Sequence, residues 1–206
     1  MIGRRAVLSA VGPLWLDGPR TRRRAAVHAG LTPVRKMSPS RLRLVNGTLA
    51  LLSAALEGRS ALEAQLGASV AEGWEGFPEA LPILRATYQR KPEGQTWGSL
   101  FFIEPEGPTL VGFGGFKGSP SPDGVVEIGY AIAPAFRGQG LATDAVAQMV
   151  QRAFSDIAVR AVGAHTLGQD NPSTRVLQKT GFRKIAEIKD PDDGLIWQWR
   201  LERPAR

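Results

Sequence analysis

Arg137, Gly138, Gln139 and Gly140 stand where two patterns meet, and residues of these kinds at such a junction can hold an anion. Ahead of them, Val125 to Ala133 is rich in β-branched and aromatic residues and closes on Pro134, which marks a strand. Beyond them, Ala142, Ala145, Val146, Met149, Val150 and Phe154 recur at helical spacing. The first N–H groups of a helix lack intrahelical acceptors and carry the positive end of its dipole. Glycines bring the backbone close to a phosphate, and an arginine adds a charged, forked donor. A pyrophosphate suits such a junction. The same glycines also serve a plain tight turn, so the loop alone leaves both readings open.

Other residues could move protons. Glu127 is a carboxylate in an otherwise apolar strand, where partial desolvation is expected to raise its pKa toward neutrality and fit it for general-base work. Its other reading is an ordinary charge on a solvated face or one half of an ion pair. His165, near the end of an expected strand Val159 to Leu167, is either an acid, base or acceptor ligand, or a histidine packed at the sheet end. Asn171-Pro172-Ser173 opens a helix in its own right, with Asn as N-cap and Pro in the first helical position.

The run Arg137-x-x-Gly140-x-Ala142 resembles the Arg/Gln-x-x-Gly-x-Gly/Ala signature with which GNAT-superfamily N-acetyltransferases hold the pyrophosphate of acetyl-CoA. Downstream, Asn171-Pro172-Ser173 followed by Val176-Leu177-Gln178-Lys179-Thr180-Gly181-Phe182 is similar to the second signature of the RimJ/RimL-like branch. The resemblance runs from Val111 to Arg203, is faint from Arg41 to Gly107, and is absent before Met37. It implies that Arg137, Gly138, Gln139, Gly140, Leu141, Ala142 and Thr143 cradle the pyrophosphate of acetyl-CoA as co-substrate. It also implies that backbone groups of Tyr130, Ala131 and Ile132 pair with the pantetheine arm, that Asn171 touches that arm, and that Ser173 lies near the sulfur as a proton donor. The family often uses a tyrosine as that donor, and no tyrosine follows the central strand here. The expected reaction is direct acetyl transfer to a primary amine, either a protein N-terminal α-amine or a small molecule such as an antibiotic, polyamine or amino acid. A non-catalytic acyl-CoA sensor is the rival from another class.

These residues need a sheet to carry them. The chain has 206 residues, 43% of them hydrophobic, enough for one domain with a sizeable core. The expected fold class is α+β, a single GNAT-like domain over residues 41–206 with a mixed, splayed central β-sheet flanked by helices. Alternation in Arg41 to Val45 marks a strand. Leu49 to Leu56 and Ser60 to Leu66 read as short helices, the second capped by Ser60 with Glu63 as a capping box, and Pro78 to Lys91 as a longer one. Thr96 to Ile103 and Thr109 to Phe116 form an expected hairpin, in which Gly112, Gly114 and Gly115 signal a bulge or the close passage of a ligand. Trp74, Phe77, Tyr88 and Trp97 either line an acceptor pocket or belong to the core. Phe182 to Ile188 and Leu195 to Leu201 supply the last strands, with Leu195, Trp197, Trp199 and Leu201 on one apolar face.

Composition excludes several classes. With no cysteine there is neither a disulfide frame nor a thiolate nucleophile or metal site, and two histidines make a histidine metal site improbable; no metal is expected. The net charge of +7 is concentrated in residues 1–40, which hold eight of the 26 basic and one of the 19 acidic residues, so the remainder is neutral. A nucleic-acid groove on the folded body is therefore not expected. Residues 1–40 read as a disordered Arg-rich extension, with Met37 as an alternative first residue. The apolar run Ala6 to Leu16 is interrupted and falls short of the roughly 20 residues of a spanning helix. The expected location is the cytoplasm, and a homodimer is compatible with a sequence that fixes no oligomeric state.

Overall fold

The computed structural model describes residues 40–90 and 95–205. Of the expected Arg-rich extension, residues 1–40, all but Ser40 lie outside the described residues, as does the alternative start at Met37; Ser40 itself is hydrogen-bonded to Asp144 and Gln148. The chain runs through β1 (Arg43–Asn46), α1 (Leu49–Glu57), α2 (Arg59–Leu66), β2 (Ser69–Val70), α3 (Ala80–Arg90), β3 (Ser99–Glu104), β4 (Thr109–Phe116) and β5 (Val125–Ile132). It continues through α4 (Leu141–Ser155), β6 (Ala161–Leu167), α5 (Pro172–Lys179), β7 (Arg183–Asp190) and β8 (Gly194–Glu202). The strands form one sheet in the order β1-β3-β4-β5-β6-β8-β7, with β2 added to β4. This is the expected α+β class, mostly antiparallel with a splay in the middle.

The splay is the feature that matters. β5 pairs with β4 in antiparallel register from Ile128 to Ile132, but meets β6 in parallel only where Val125, Val126 and Glu127 face Ala161, Val162 and Gly163. From Ile128 onward the β6-facing edge of β5 is open.

Two cores lie on opposite faces of the sheet. On one, Leu51, Leu52, Leu62, Leu81 and Tyr88 from α1 to α3 pack with Trp74 against Phe101, Ile103 and Phe113. Trp74 stacks on Phe101 at 5.4 Å, and the Tyr88 hydroxyl accepts from Ser99 N at 2.7 Å, so both are core residues. On the other face, Leu141, Ala145, Val146 and Met149 of α4 and Leu177 of α5 cover Val111, Val126, Ile128, Val162 and Trp199.

Local chemistry explains the element ends, with corrections to the sequence reading. Thr48 caps α1, its Oγ1 accepting from Leu51 N at 3.1 Å. The expected Ser60–Glu63 capping box is absent. Gly58 is the N-cap of α2, Ser60 lies inside the helix, and Glu63 Oε1 instead accepts from Val70 N at 3.0 Å. In β8 the apolar face holds for Trp197, Trp199 and Leu201, yet Leu195 is exposed and Ile196 is buried. The expected bulge is present, β4 slipping by one residue at Val111 between the Ile103–Leu110 and Phe102–Gly112 pairs, and Gly112 and Gly114 also allow close backbone approach, since a Cβ at either would strike the Ala131 or Gly129 carbonyl.

α4 is held at its far end by Arg203, whose guanidinium donates to the carbonyls of Val159 at 2.7 Å, Phe154 at 2.8 Å and Asp156 at 2.5 Å. A cation here satisfies carbonyls that a helix end leaves without partners. Replacing Arg203 with Gln is expected to cost about 2 kcal/mol, in line with losing charged hydrogen bonds, and urea denaturation monitored by circular dichroism checks this.

Candidate active site

The anion loop takes the form its residue types require. A short 3-10 turn, Pro134–Phe136, leads from β5 into Arg137. Gly138 and Gly140 have φ of 76° and 85°, left-handed values that favour glycine. Gly140 is the N-cap of α4 and makes no side-chain cap bond. The first intrahelical bond runs from Asp144 N to the Gly140 carbonyl, so the N–H groups of Leu141, Ala142 and Thr143 stand ahead of the ladder. Leu141's side chain is buried, and its contribution to the loop is its backbone. Arg137 to Gly140 are exposed. The Arg137 side chain turns back, its Nε donating to the Ile132 carbonyl at 2.9 Å, which braces the loop against the end of β5.

The register of β5 decides which backbone groups line the open edge. Glu127 O accepts from Lys117 N, and Ala133 N donates to Val111 O, so the odd-numbered residues between them direct their N–H and C=O toward β4. Ala131, opposite Phe113, is one of these, and the expected backbone role for Ala131 at the open edge is corrected. Ile128, Tyr130 and Ile132 direct their backbone groups the other way, across the splay. Ile128 is therefore an edge residue that the sequence reading missed.

Side chains of β5 alternate between the two faces. Ile128 and Ile132 belong to the α4 face, as does Tyr130, whose hydroxyl crosses the splay to donate to the Ser173 carbonyl at 3.3 Å. Burial raises the Tyr130 pKa, against a smaller lowering by this bond, so the phenol keeps its proton. Ser173 lies in the first turn of α5, where Asn171 is the N-cap: the Asn171 Oδ1 accepts from Ser173 N at 2.8 Å and Thr174 N at 3.1 Å, and Thr174 Oγ1 accepts from Asn171 N at 3.1 Å. Asn171 Nδ2 donates to Gln169 O at 2.9 Å. The expected N-cap is thus present, and it engages most of the Asn171 amide.

On the opposite face Glu127 meets His165 and Lys117. Glu127 Oε1 accepts from His165 Nδ1 at 2.8 Å and also pairs with the Lys117 ammonium. The expected rise in the Glu127 pKa does not occur. Burial pushes it up, but the His165 hydrogen bond, the Lys117 charge, the His165 charge and the Lys117 hydrogen bond together bring it from 4.5 down to about 2. A carboxylate this acidic stays ionised and is a weak base. Its pairing adds stability that is complete above about pH 4.5 and is lost as the pH falls toward 2. The dyad sits where the β5–β6 pairing ends, with Glu127 opposite Gly163 and His165 two residues further along β6. Among the described residues, Nε2 of His165 has no hydrogen-bond partner. The Asp190 carboxyl, at the end of β7, is held below its ordinary range chiefly by the backbone N–H groups of Asp193 and Asp192, with His165 a smaller influence.

The arrangement combines an open strand edge leading to an exposed, positive helix start on one face with a carboxylate–imidazole pair at the apex of the splay on the other. A strand edge of this kind can bind an extended arm carrying amides. Among the described residues no group of three or more His, Cys, Asp or Glu could hold a metal ion. No helix among them is long and apolar enough to cross a membrane.

Comparison with known proteins agrees with this geometry. The chain is 28% identical over 158 residues to the uncharacterized N-acetyltransferase YjdG of Bacillus subtilis strain 168, covering 74% of this chain and 94% of that protein. In fold it is similar to the ribosomal-protein-S5-alanine acetyltransferase of Vibrio fischeri, with a TM-score of 0.59 at 14% identity over 81% of this chain and 95% of that one. It is also similar to aminoglycoside acetyltransferase AAC(6')-Ib in complex with coenzyme A, with a TM-score of 0.54 at 20% identity over 79% of this chain and 95% of that one. Residues 66–183, from the end of α2 to the start of β7 and including the splay and the loop, match the family model of the acetyltransferase (GNAT) domain; the chain belongs to this family and is an acyltransferase.

Proposed function

We propose that this enzyme moves the acetyl group of acetyl-CoA directly to a primary amine. The observation that carries the reading is the continuity of the open β5 edge with the exposed Arg137–Gly140 loop and the start of α4. The pantetheine arm pairs with the backbone groups of Ile128 and Tyr130 and with the N–H of Ile132, the Ile132 carbonyl being engaged by Arg137. The pyrophosphate lies on the amides of Gly138 to Thr143, beside Arg137, and the remaining N–H of Asn171 is available to the arm. The glycines admit a phosphate without steric conflict, so the residues present fit this co-substrate.

The amine approaches from the face that carries α1 to α3. Its nitrogen forms a bond to the thioester carbonyl carbon as the carbon–sulfur bond breaks, and its surplus proton must leave. Glu127, at a pKa of about 2, serves as the anchor that fixes His165 through Nδ1, and His165 Nε2 takes the proton. The thiolate receives a proton from Ser173 or from water, and the Tyr130 hydroxyl, held on the Ser173 carbonyl, positions the start of α5 across the splay. A thiol pKa of about 8.5 makes the thiolate a fair leaving group, so Ser173→Ala is expected to lower kcat less than about tenfold in a thiol-release assay.

The RimJ/RimL-like signature favours a protein α-amine as acceptor, with small amines as the alternative. An α-amine, with a pKa near 7.7 to 8.0, asks less of the base than a lysine near 10.4. The test holds acetyl-CoA constant and supplies N-terminal peptides, lysine peptides with blocked α-amines, spermidine and an aminoglycoside, reading thiol release. The expected result is turnover on unblocked N-terminal peptides. Turnover confined to spermidine or the aminoglycoside selects the small-molecule reading, and none on any amine contradicts the proposal.

A further inference from the structure

The anion loop has a second cation, which arrives from a distant part of the chain. Residues 40–42, just ahead of β1, are strapped along the first turns of α4. Asp144 Oδ2 accepts from Ser40 Oγ at 3.2 Å, Arg41 N at 3.1 Å and Leu42 N at 3.0 Å. Gln148 Nε2 completes the strap by donating to Ser40 Oγ at 2.6 Å and to the Leu42 carbonyl at 2.9 Å. Asp144 would oppose an anion at this helix end. With these donors on one oxygen, its charge is instead directed toward the strap.

The strap fixes where the Arg41 side chain goes. Arg41 Nη1 donates to the Gln139 carbonyl at 2.5 Å and stands 3.8 Å from the point a Cβ on Gly140 would occupy. Its guanidinium therefore lies against the left-handed glycine at the helix start, and Arg41 as a whole is exposed. A guanidinium has five N–H donors. Among the described residues the bond to Gln139 is the one that this guanidinium makes, whereas Arg137 turns its Nε inward to Ile132. Arg41 thus brings further donors to the outer side of the same loop, where the dipole of α4 already favours negative charge.

We propose that Arg41 is a phosphate-binding residue for acetyl-CoA, latched to the loop through Gln139 and contacting a phosphate of the nucleotide end. The proposal rests on the acetyl-CoA reading above. The shared chemistry is a phosphate oxygen, supplied either by the pyrophosphate or by the 3′-phosphate of the ribose.

Calorimetric titration of the full chain tests this without knowledge of the acceptor. Acetyl-CoA, its 3′-dephospho form and S-acetylpantetheine are titrated into the wild type, Arg41→Ala and Arg41→Lys. A charge-assisted hydrogen bond corresponds to roughly ten- to a hundredfold in Kd. Arg41→Ala is expected to weaken acetyl-CoA by about that factor, with Arg41→Lys recovering part of it and S-acetylpantetheine unaffected. An equal loss for the dephospho form assigns the contact to the pyrophosphate, and a loss restricted to acetyl-CoA assigns it to the 3′-phosphate. Unchanged acetyl-CoA binding in Arg41→Ala overturns the proposal. So does an equal loss for S-acetylpantetheine, which carries no phosphate and would report a general disturbance of the β5 edge instead of a lost phosphate contact. A wild-type chain that binds none of the three removes the acetyl-CoA reading itself, a different failure from wild-type binding that ignores Arg41.

Discussion

Replacing Gly140 with Asp is expected to remove acetyl-CoA binding while leaving the domain folded. Gly140 is the N-cap of α4 with a φ of 85°, and the position a Cβ would take has only the Arg41 guanidinium within 4 Å. Asp is a favoured N-cap and, with Asn, among the residues most tolerant of the left-handed region. The helix should therefore survive. A carboxylate at the positive end of the helix occupies the N–H groups of Leu141 to Thr143 and repels a pyrophosphate. Losing two or more charged hydrogen bonds corresponds to a hundredfold weaker Kd or beyond, on the order of 3 kcal/mol. Thermal denaturation separates the effects. At a ligand concentration a hundred times its Kd, acetyl-CoA adds about 2.7 kcal/mol to the wild type, and the variant should melt cooperatively with almost no response.

His165→Asn is expected to lower kcat by two to three orders of magnitude, the usual scale for a missing general base. The readout that distinguishes proton transfer from packing is the rate–pH profile. Glu127 titrates at about 2 and cannot produce an inflection near neutrality, so an acid limb there belongs to another group. Loss of that limb in His165→Asn assigns it to the imidazole, whose charged neighbours are Glu127 on β5, Lys117 after β4 and Asp190 at the end of β7. Glu127→Gln keeps the shape but leaves a neutral amide facing Nδ1. It should lower kcat by about tenfold or more and change the limb, since the anchor acts through the imidazole. If His165→Asn turns over at the wild-type rate, the dyad is structural.

How much of this the sequence contained follows from how local each feature is. The loop and its helix were legible because the glycines, the Arg137 spacing and the helical period of Ala142 to Phe154 lie within one short stretch, and the structure makes them a left-handed turn and α4. The N-cap at Asn171 was legible for the same reason. Alternation within β5 gave the period, but which residues face the splay depends on pairing with β4, and Ala131 and Ile128 could not be assigned without that register. The Glu127–His165 contact joins residues 38 apart, and Arg41 reaches Gln139 across 98. No local pattern announces either. The raised pKa expected for Glu127 was a sound inference for a lone carboxylate, and it failed because the His165 hydrogen bond and the Lys117 ammonium converge on it. Trp74 and Tyr88 carried no sequence mark separating a pocket wall from a core, and burial against Phe101 and Ser99 decided it.

The central claim, that acetyl-CoA lies along the open edge of β5 with its phosphates on the start of α4, is tested most directly by amide hydrogen exchange resolved to single residues. Saturating acetyl-CoA should slow exchange at Tyr130, Ile132 and the amides of Gly138 to Thr143, and leave Ala131, already bonded toward Phe113, unchanged. Exchange that stays the same at Tyr130, Ile132 and the loop while acetyl-CoA is demonstrably bound would contradict the account, and protection elsewhere would show where the ligand sits instead.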